Sequence, residues 1–285
     1  MNYSIFKDTI ADMNWKEIEA KGKEKIPVLF PLGVIEEHGP HLPLGTDIYF
    51  SYAVCRKIKE ALNNLKTDSL IAPPFYWGIN HCTGAFPGTF SVKPETMKSI
   101  LFDIFENLHR FGFNQMYCVN YHGDARHVAT ILEAIKGSNE KYHMSNRLLM
   151  EAYELQFYGL SGEEDYILVN HAEFPAELFE GEDESEKGLM DIHAGAFETA
   201  AMNYFYPEAV QTELAAQLKS SSLSDQELSN WLSGGEIVRD TVPLGYAGNP
   251  AGYEKLSVGI ETVFHILSEY YAKRILELQK DNDEK

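Results

Sequence analysis

Apolar and polar residues alternate along this chain with two different periods. Ile26-Pro-Val-Leu-Phe-Pro-Leu-Gly33 is a continuous apolar run closed by glycine, the pattern of a strand buried on both faces of a parallel sheet. From Pro94 to Arg110 the period changes. Met97, Ile100, Leu101, Ile104, Phe105 and Leu108 recur at three and four, and Gly112 closes the segment, which predicts an amphipathic helix. Gln115-Met-Tyr-Cys-Val119 predicts a second buried strand, and Val128, Ile131, Leu132 and Ile135 before Gly137 predict a second helix. Further strands are expected at Leu70 to Pro73 and at Arg147 to Ala152. Ile260, Val263, Phe264, Leu267, Tyr270, Tyr271 and Ile275 predict a long final helix, with Asp281 to Lys285 as a frayed tail. Strand-helix alternation of this kind is an α/β pattern, with about four to six strands expected. The run Glu180-Gly-Glu-Asp-Glu-Ser-Glu186 has no period and is expected to be an exposed loop. With no repeat, low-complexity linker or composition break, residues 1–285 are expected to form a single domain.

Composition narrows the partners. The 285 residues are 44% apolar and 24% charged, enough for a substantial core, and the formal net charge is -19. That charge opposes approach to a phosphate backbone or an anionic membrane, so neither nucleic acid nor membrane is expected, and a neutral or cationic small-molecule substrate is. Cys55, Cys82 and Cys118 lie far apart, without a C-x-x-C pair, which fits a reducing cytoplasm and argues against a disulfide framework or a thiolate zinc site. Lys7 and Asp8 interrupt the first ten residues, so no secretory signal is expected there. No apolar run approaches the roughly 20 residues of a membrane helix.

The chemistry gathers in three clusters. After the first strand the chain reads Glu36-Glu37-His38-Gly39-Pro40-His41-Leu42-Pro43-Leu44-Gly45-Thr46-Asp47. Glu36 and His38, two apart in an extended segment, can project to the same side. The Gly and Pro residues after them can turn the chain so that Asp47, opening the next helix, approaches the same point. The second cluster, Asn120-Tyr-His-Gly-Asp124, also follows a buried strand. In open α/β sheets the ligand crevice lies beyond the carboxyl ends of the strands, so both clusters can face one pocket. Carboxylates and imidazoles without thiolates suit zinc, manganese or a similar cation, and a carboxylate can bridge two of them, so a two-metal site is favoured. The third cluster is Asp191-Ile-His-Ala-Gly-Ala-Phe-Glu-Thr199, where His193 can donate or accept a proton beside the metals. Plainer roles compete with these. Asp47 and Asp124 both stand where an N-cap would be. His109 and His265 sit within helical patterns and are expected to be structural, and His171 and Glu173 to lie on the surface.

Taken together, these segments resemble the creatininase family of amidohydrolases. Gly33-Val-Ile-Glu-Glu-His-Gly-Pro-His-Leu-Pro-Leu-Gly-Thr-Asp47 is similar to that family's first metal loop, Phe86-Pro-Gly-Thr89 to a short turn, Asn120-Tyr-His122 to the second metal loop, and His193-Ala-Gly-Ala-Phe-Glu-Thr199 to the catalytic segment. Gly78-Ile-Asn-His81, Trp15 and Gly248-Asn-Pro250 also fit, so the likeness spans nearly the whole chain. It implies a three-layer α/β/α sandwich with a mainly parallel sheet, two divalent cations such as zinc or manganese, and a homo-oligomer, often a hexamer. It further implies that Glu36 and His122 bind one metal, that His38 binds the other, that Asp47 bridges them, and that His193 with Asp191 contacts substrate and handles protons, the His193 tautomer being fixed by Asp191 or a backbone group. His81, Tyr153 and Gly123 are expected at the substrate.

Three departures bear on the substrate and the fifth ligand. Asp124 stands where creatinine-cleaving members carry Glu, which leaves the fifth ligand open between Asp124 and Glu198. One residue is missing between Asp191 and His193, and Tyr153 replaces a tryptophan. The expected activity is hydrolysis of a C–N amide bond, cyclic or linear, by a hydroxide held between two metals, since a bound cation lowers the pKa of water to about 7. Formamides, short peptides and lactones offer the same carbonyl, and a non-catalytic metal-binding role is the alternative of a different class.

Overall fold

The chain forms strands β1 (Val28–Leu32), β2 (Leu70–Ile71), β3 (Met116–Asn120), β4 (Arg147–Glu151) and β5 (Ile167–Asn170). They make one sheet in the order β2-β1-β3-β4-β5, and every pairing is parallel. The structure, a computed structural model, describes residues 4–175, 178 and 191–283. Its helices are α1 (Trp15–Lys23), α2 (Thr46–Asn64), α3 (Pro94–Arg110), α4 (Ala125–Tyr142), α5 (Leu155–Tyr158), α6 (Ala196–Phe205), α7 (Thr212–Ala215), α8 (Asp225–Ser233), α9 (Glu236–Thr241), α10 (Tyr253–Ser257) and α11 (Ile260–Asp283).

Alternation within the strands decides the layers. Val28, Phe30 and Leu32, with Met116, Cys118, Leu148, Met150, Ile167 and Val169, pack against Met97, Leu101 and Phe105 of α3 and Val128, Ile131 and Ile135 of α4. Leu29, Tyr117, Val119, Leu149 and Leu168 point the other way, onto Ile58 and Leu62 of α2, Met202 of α6, and Phe264 and Tyr271 of α11. Successive strand side chains face opposite sides, so the sheet is covered twice and the fold is a three-layer α/β/α sandwich. Burying each large apolar side chain contributes roughly 1.5–3 kcal/mol.

Local signals set the helix starts. Asn14 accepts from the N–H groups of Lys16 and Glu17 while Glu17 accepts from Asn14, a reciprocal cap that begins α1. Pro94 occupies the first turn of α3, where its missing N–H costs nothing. Asp124 caps α4, its Oδ1 accepting from Arg126 and His127 at 2.8 and 3.1 Å.

The predicted strands and helices all form, with shorter limits in places: the expected strand at Leu70 to Pro73 is the two-residue β2, and the one from Ile26 begins at Val28. β5 is an addition, since four residues between polar turns carry too little periodicity to mark a strand. Of the expected tail, Asp281 to Asp283 belong to α11, and 284–285 lie outside the described residues. The acidic run Glu180 to Glu186 lies outside the described residues. His171 and Glu173 are exposed. No helix among the described residues is long and apolar enough to cross a membrane.

Candidate metal centre

In this strand order β1 lies between β2 and β3, so the chain leaves β1 and β3 toward opposite sides of the sheet and a crevice opens beyond their carboxyl ends. The first two clusters sit there. Gly33 ends β1 so close to α2 that a Cβ on it would lie 2.9 Å from the Ile48 nitrogen. The Glu36 N–H donates to the Leu44 carbonyl at 2.9 Å, folding the Gly- and Pro-rich loop back on itself. Asp47 therefore returns to the crevice in the first turn of α2. It does not cap that helix; Gly45 is the N-cap and no side chain bonds there.

Asp47 joins two groups of side chains. Its Oδ1 is 3.0 Å from His38 Nε2, and its Oδ2 is 3.2 Å from His122 Nδ1. His122 Nδ1 also lies 2.8 Å from Glu36 Oε1, and His38 Nε2 lies 4.0 Å from Glu198 Oε1. Glu36, Asp47 and His122 each offer one atom within 4.8 Å of the others, and so do His38, Asp47 and Glu198. Glu36, His38 and His193 form a third such set. Asp47 Oδ2 is buried and makes no hydrogen bond, despite its closeness to His122.

The imidazoles are aimed by main-chain carbonyls. His38 Nδ1 donates to Glu36 O at 3.2 Å, and His122 Nε2 donates to Ile79 O at 2.9 Å. Each turns its other nitrogen toward the carboxylates, the nitrogen that a metal would take in place of a proton. Glu36 is held from behind by the Thr83 hydroxyl. Glu198 reaches back from the first turn of α6 to accept from the Ala194 N–H at 2.5 Å. Ala194 takes a left-handed backbone, φ 51°, at that turn.

The remaining expected residues fall in different places. Both oxygens of Asp124 are engaged: Oδ1 caps α4 and Oδ2 accepts from the His81 N–H at 2.7 Å. Asp191 accepts from the Phe197 N–H at 2.8 Å, against the start of α6. His193 pairs backbone to backbone with Ala247, which brings the Gly248-Asn-Pro250 segment beside it, and its ring lies 4.4 Å from that of His38. Its Nε2 donates to Glu37 O at 2.7 Å. Gly123 O accepts from the Tyr158 hydroxyl at 3.3 Å. His81 packs against Gly234, and Tyr153 is 68% exposed. His109 bonds Asn114 away from the centre, and His265 is exposed.

Charge is concentrated and buried. Burial opposes a proton on His38, but Asp47 outweighs it and raises the imidazole to about 9. Burial likewise opposes charge on His193, and the bond to Glu37 together with Glu36 raises it to about 10. His122 is lifted well above its ordinary value by Glu36 and Asp47, again against burial. Asp47 is held well below the carboxylate range by His38 and His122 despite its burial. Burial raises Glu198. Protons on imidazole thus balance carboxylates at positions where cations could do the same.

The family profile described as creatinine amidohydrolase matches residues 11–259. The chain belongs to the creatininase family. Creatinine amidohydrolase of Pseudomonas putida is 25% identical over 228 residues, covering 75% of this chain and 76% of that protein. A mycofactocin precursor peptide peptidase of Mycobacterium ulcerans (strain Agy99) is 26% identical over 227 residues, covering 78% and 74%. A creatininase solved with manganese has the same fold, with a TM-score of 0.67 at 20% identity over 95% of this chain and 98% of that one.

Several further side chains around this creatininase-family centre were given no role by the sequence. Glu37 lies 3.4 Å from His193 Nε2 through Oε1, and its N–H donates to Thr89 Oγ1 at 3.0 Å, so the Phe86–Thr89 turn braces the first metal loop. The Trp231 ring of α8 lies 5.3 Å from the His193 ring. His127 and Asn120 lie behind His122. Glu37 and Asn120 stand within the two metal loops, whereas nothing in the sequence marked Trp231 or His127.

Proposed function

We propose that this chain is a metal-dependent amidohydrolase that cleaves a C–N amide bond, cyclic or linear, in a neutral or cationic small molecule. Two divalent cations, zinc or manganese, would be held by Glu36 and His122 on one side and His38 and Glu198 on the other, with Asp47 shared. The observation that carries this reading is the placement of Asp47 in two donor sets at once, with a buried oxygen that no hydrogen bond satisfies. An unsatisfied buried carboxylate oxygen is costly, and a cation would satisfy it. Nitrogen and oxygen donors without thiolate suit borderline divalent metals. Glu198 is favoured over Asp124 as fifth ligand, because Asp124 has spent both oxygens on backbone N–H groups.

When bound, the cations supply a reactive water at neutral pH and polarise the substrate carbonyl. His193 gives a proton to the leaving nitrogen, and Glu37 fixes its ring and tautomer. His81, Gly123 and Tyr153 contact the substrate at the rim, and Asp191 secures the segment that carries His193. The active form is a homo-oligomer, with a hexamer as one arrangement.

Metal analysis of the purified protein and of Asp47→Ala tests the centre. About two equivalents per chain are expected in the first and a loss of both in the second. Two equivalents retained in Asp47→Ala would refute the shared carboxylate. A panel of cyclic amides, linear amides, formamides, short peptides and lactones tests the reaction. A peptide substrate is the second reading, supported by the similarity to the mycofactocin peptidase. Full occupancy without turnover on the whole panel would leave a binding role.

A further inference from the structure

Behind His122 four hydrogen bonds close a ring whose direction is fixed throughout. The Ile79 N–H donates to His127 Nδ1 at 3.2 Å, and His127 Nε2 meets Asn120 Oδ1 at 3.1 Å. Asn120 Nδ2 donates to His122 O at 2.8 Å, and His122 Nε2 meets Ile79 O at 2.9 Å. A backbone N–H can only donate, so His127 Nδ1 must be bare and its proton must sit on Nε2. Asn120 must then present its oxygen to His127, which turns its amide nitrogen to the His122 carbonyl. A backbone carbonyl can only accept, so His122 carries a proton on Nε2 and turns its Nδ1 toward Glu36 and Asp47. One residue, Ile79, therefore fixes which nitrogen of His127 is bare, through its N–H, and which nitrogen of His122 is turned to the carboxylates, through its carbonyl.

The approach is tight. His127 is fully buried with its ring 4.9 Å from that of His122, edge to face. A Cβ on Gly78 would stand 2.3 Å from His127 Cε1 and 2.5 Å from Nδ1, so only glycine lets the ring reach the Ile79 N–H. Asp124, at the same end of α4, holds the His81 N–H. The first turn of α4 thus grips the Ile79–His81 segment at two points, although the helix offers no ligand of its own.

The geometry points to His127 as a positioning residue for the metal centre: it holds the backbone of Ile79, whose carbonyl turns His122 Nδ1 toward Glu36 and Asp47. This rests on the metal-centre reading above. The test is zinc affinity, measured by competition with a chromophoric chelator in the full chain. His127→Leu fills the space and breaks both bonds, and its zinc affinity is expected to fall by about 10- to 100-fold. His127→Asn puts an oxygen near the Nδ1 position and should recover most of that loss. Ile131→Val, one turn along α4, is the packing control: stability drops while zinc affinity holds. Long-range proton–nitrogen spectra of the zinc-loaded wild type should show His127 and His122 each protonated at Nε2. If His127→Leu does not fold, Asn120→Ala interrupts the same ring from its other side and carries the same expectation. A folded His127→Leu that binds zinc as tightly as wild type overturns the positioning role while leaving the centre intact. A wild type that binds no zinc removes the centre and this inference with it.

Discussion

His193 and Glu37 are joined twice over: the imidazole Nε2 donates to the Glu37 main-chain carbonyl at 2.7 Å, and the Glu37 carboxylate stands 3.4 Å from the same nitrogen. That carboxylate cannot swing away. Its Oε2 accepts from the Gly39 N–H at 3.1 Å, and Gly245 closes so near that a Cβ there would sit 1.8 Å from Oε2. Asp191 or a backbone group was expected from sequence to fix His193; the Glu37 carbonyl, a backbone group, takes that place, and Asp191 accepts from the Phe197 N–H.

Glu37→Gln keeps the shape and removes the charge that favours the imidazolium. Its kcat is expected to fall by about tenfold or more with KM and metal content little changed, whereas Asp191→Asn should affect stability first. Steady-state kinetics with metal analysis of both variants checks this. A wild-type kcat in Glu37→Gln would return the role to Asp191.

The two carboxylates left open by the sequence separate by their present partners. Glu198→Ala is expected to lose one cation per chain and most activity. Asp124→Ala should keep both cations and lose about 1 kcal/mol of stability with the α4 cap. Elemental analysis and urea unfolding distinguish them, and a cation lost from Asp124→Ala instead would make Asp124 the ligand.

Cation binding should release protons. Burial alone would lower His38, but Asp47 raises it to about 9 in the cation-free protein, so below that pH a cation must displace a proton. Affinity is therefore expected to climb by about tenfold per pH unit for each proton displaced, with the His38 contribution levelling off as pH passes its value. Zinc titrations near neutral pH in two buffers of different ionisation heat count the protons. Equal heats in both would mean that no proton leaves.

Glu151, at the end of β4, offers a test of burial away from the cations. Burial raises it to about 7, partly countered by the Asn170 amide, which donates to it at 2.8 Å. A carboxyl whose folded pKa is raised stabilises the fold fully when protonated, below its unfolded value near 4, and that stability is lost as pH rises through about 7. Glu151→Gln cannot ionise, so it should gain roughly 1–3 kcal/mol relative to wild type above that window and almost nothing below it. Thermal melts at both ends of the range decide the matter, and equal shifts at the two ends would rule out ionisation as the cause.

The layers of this fold were legible because periodicity is a local record of burial. Val28 to Leu32 had to be apolar at every position to lie between two helical layers, and Met97 to Leu108 had to repeat at three and four to cover one of them. β5 escaped because four residues are too few to show a period. The candidate ligands could be gathered because Glu36, His38, Asp47 and His122 follow the ends of strands that flank one crevice.

By itself, then, the amino-acid order determined which elements form, which layers they join, and which acidic and imidazole side chains crowd the strand ends. Only the tertiary structure decided what each of those side chains faces. Asp47 and Asp124 both stand at helix starts, yet one turns into the crevice and the other onto three backbone N–H groups. The partners of His193 and His122, Glu37 and the Ile79 carbonyl, are 156 and 43 residues away along the chain. Hydrogen bonds between such distant groups depend on how loops pack around the sheet, and no local pattern encodes them.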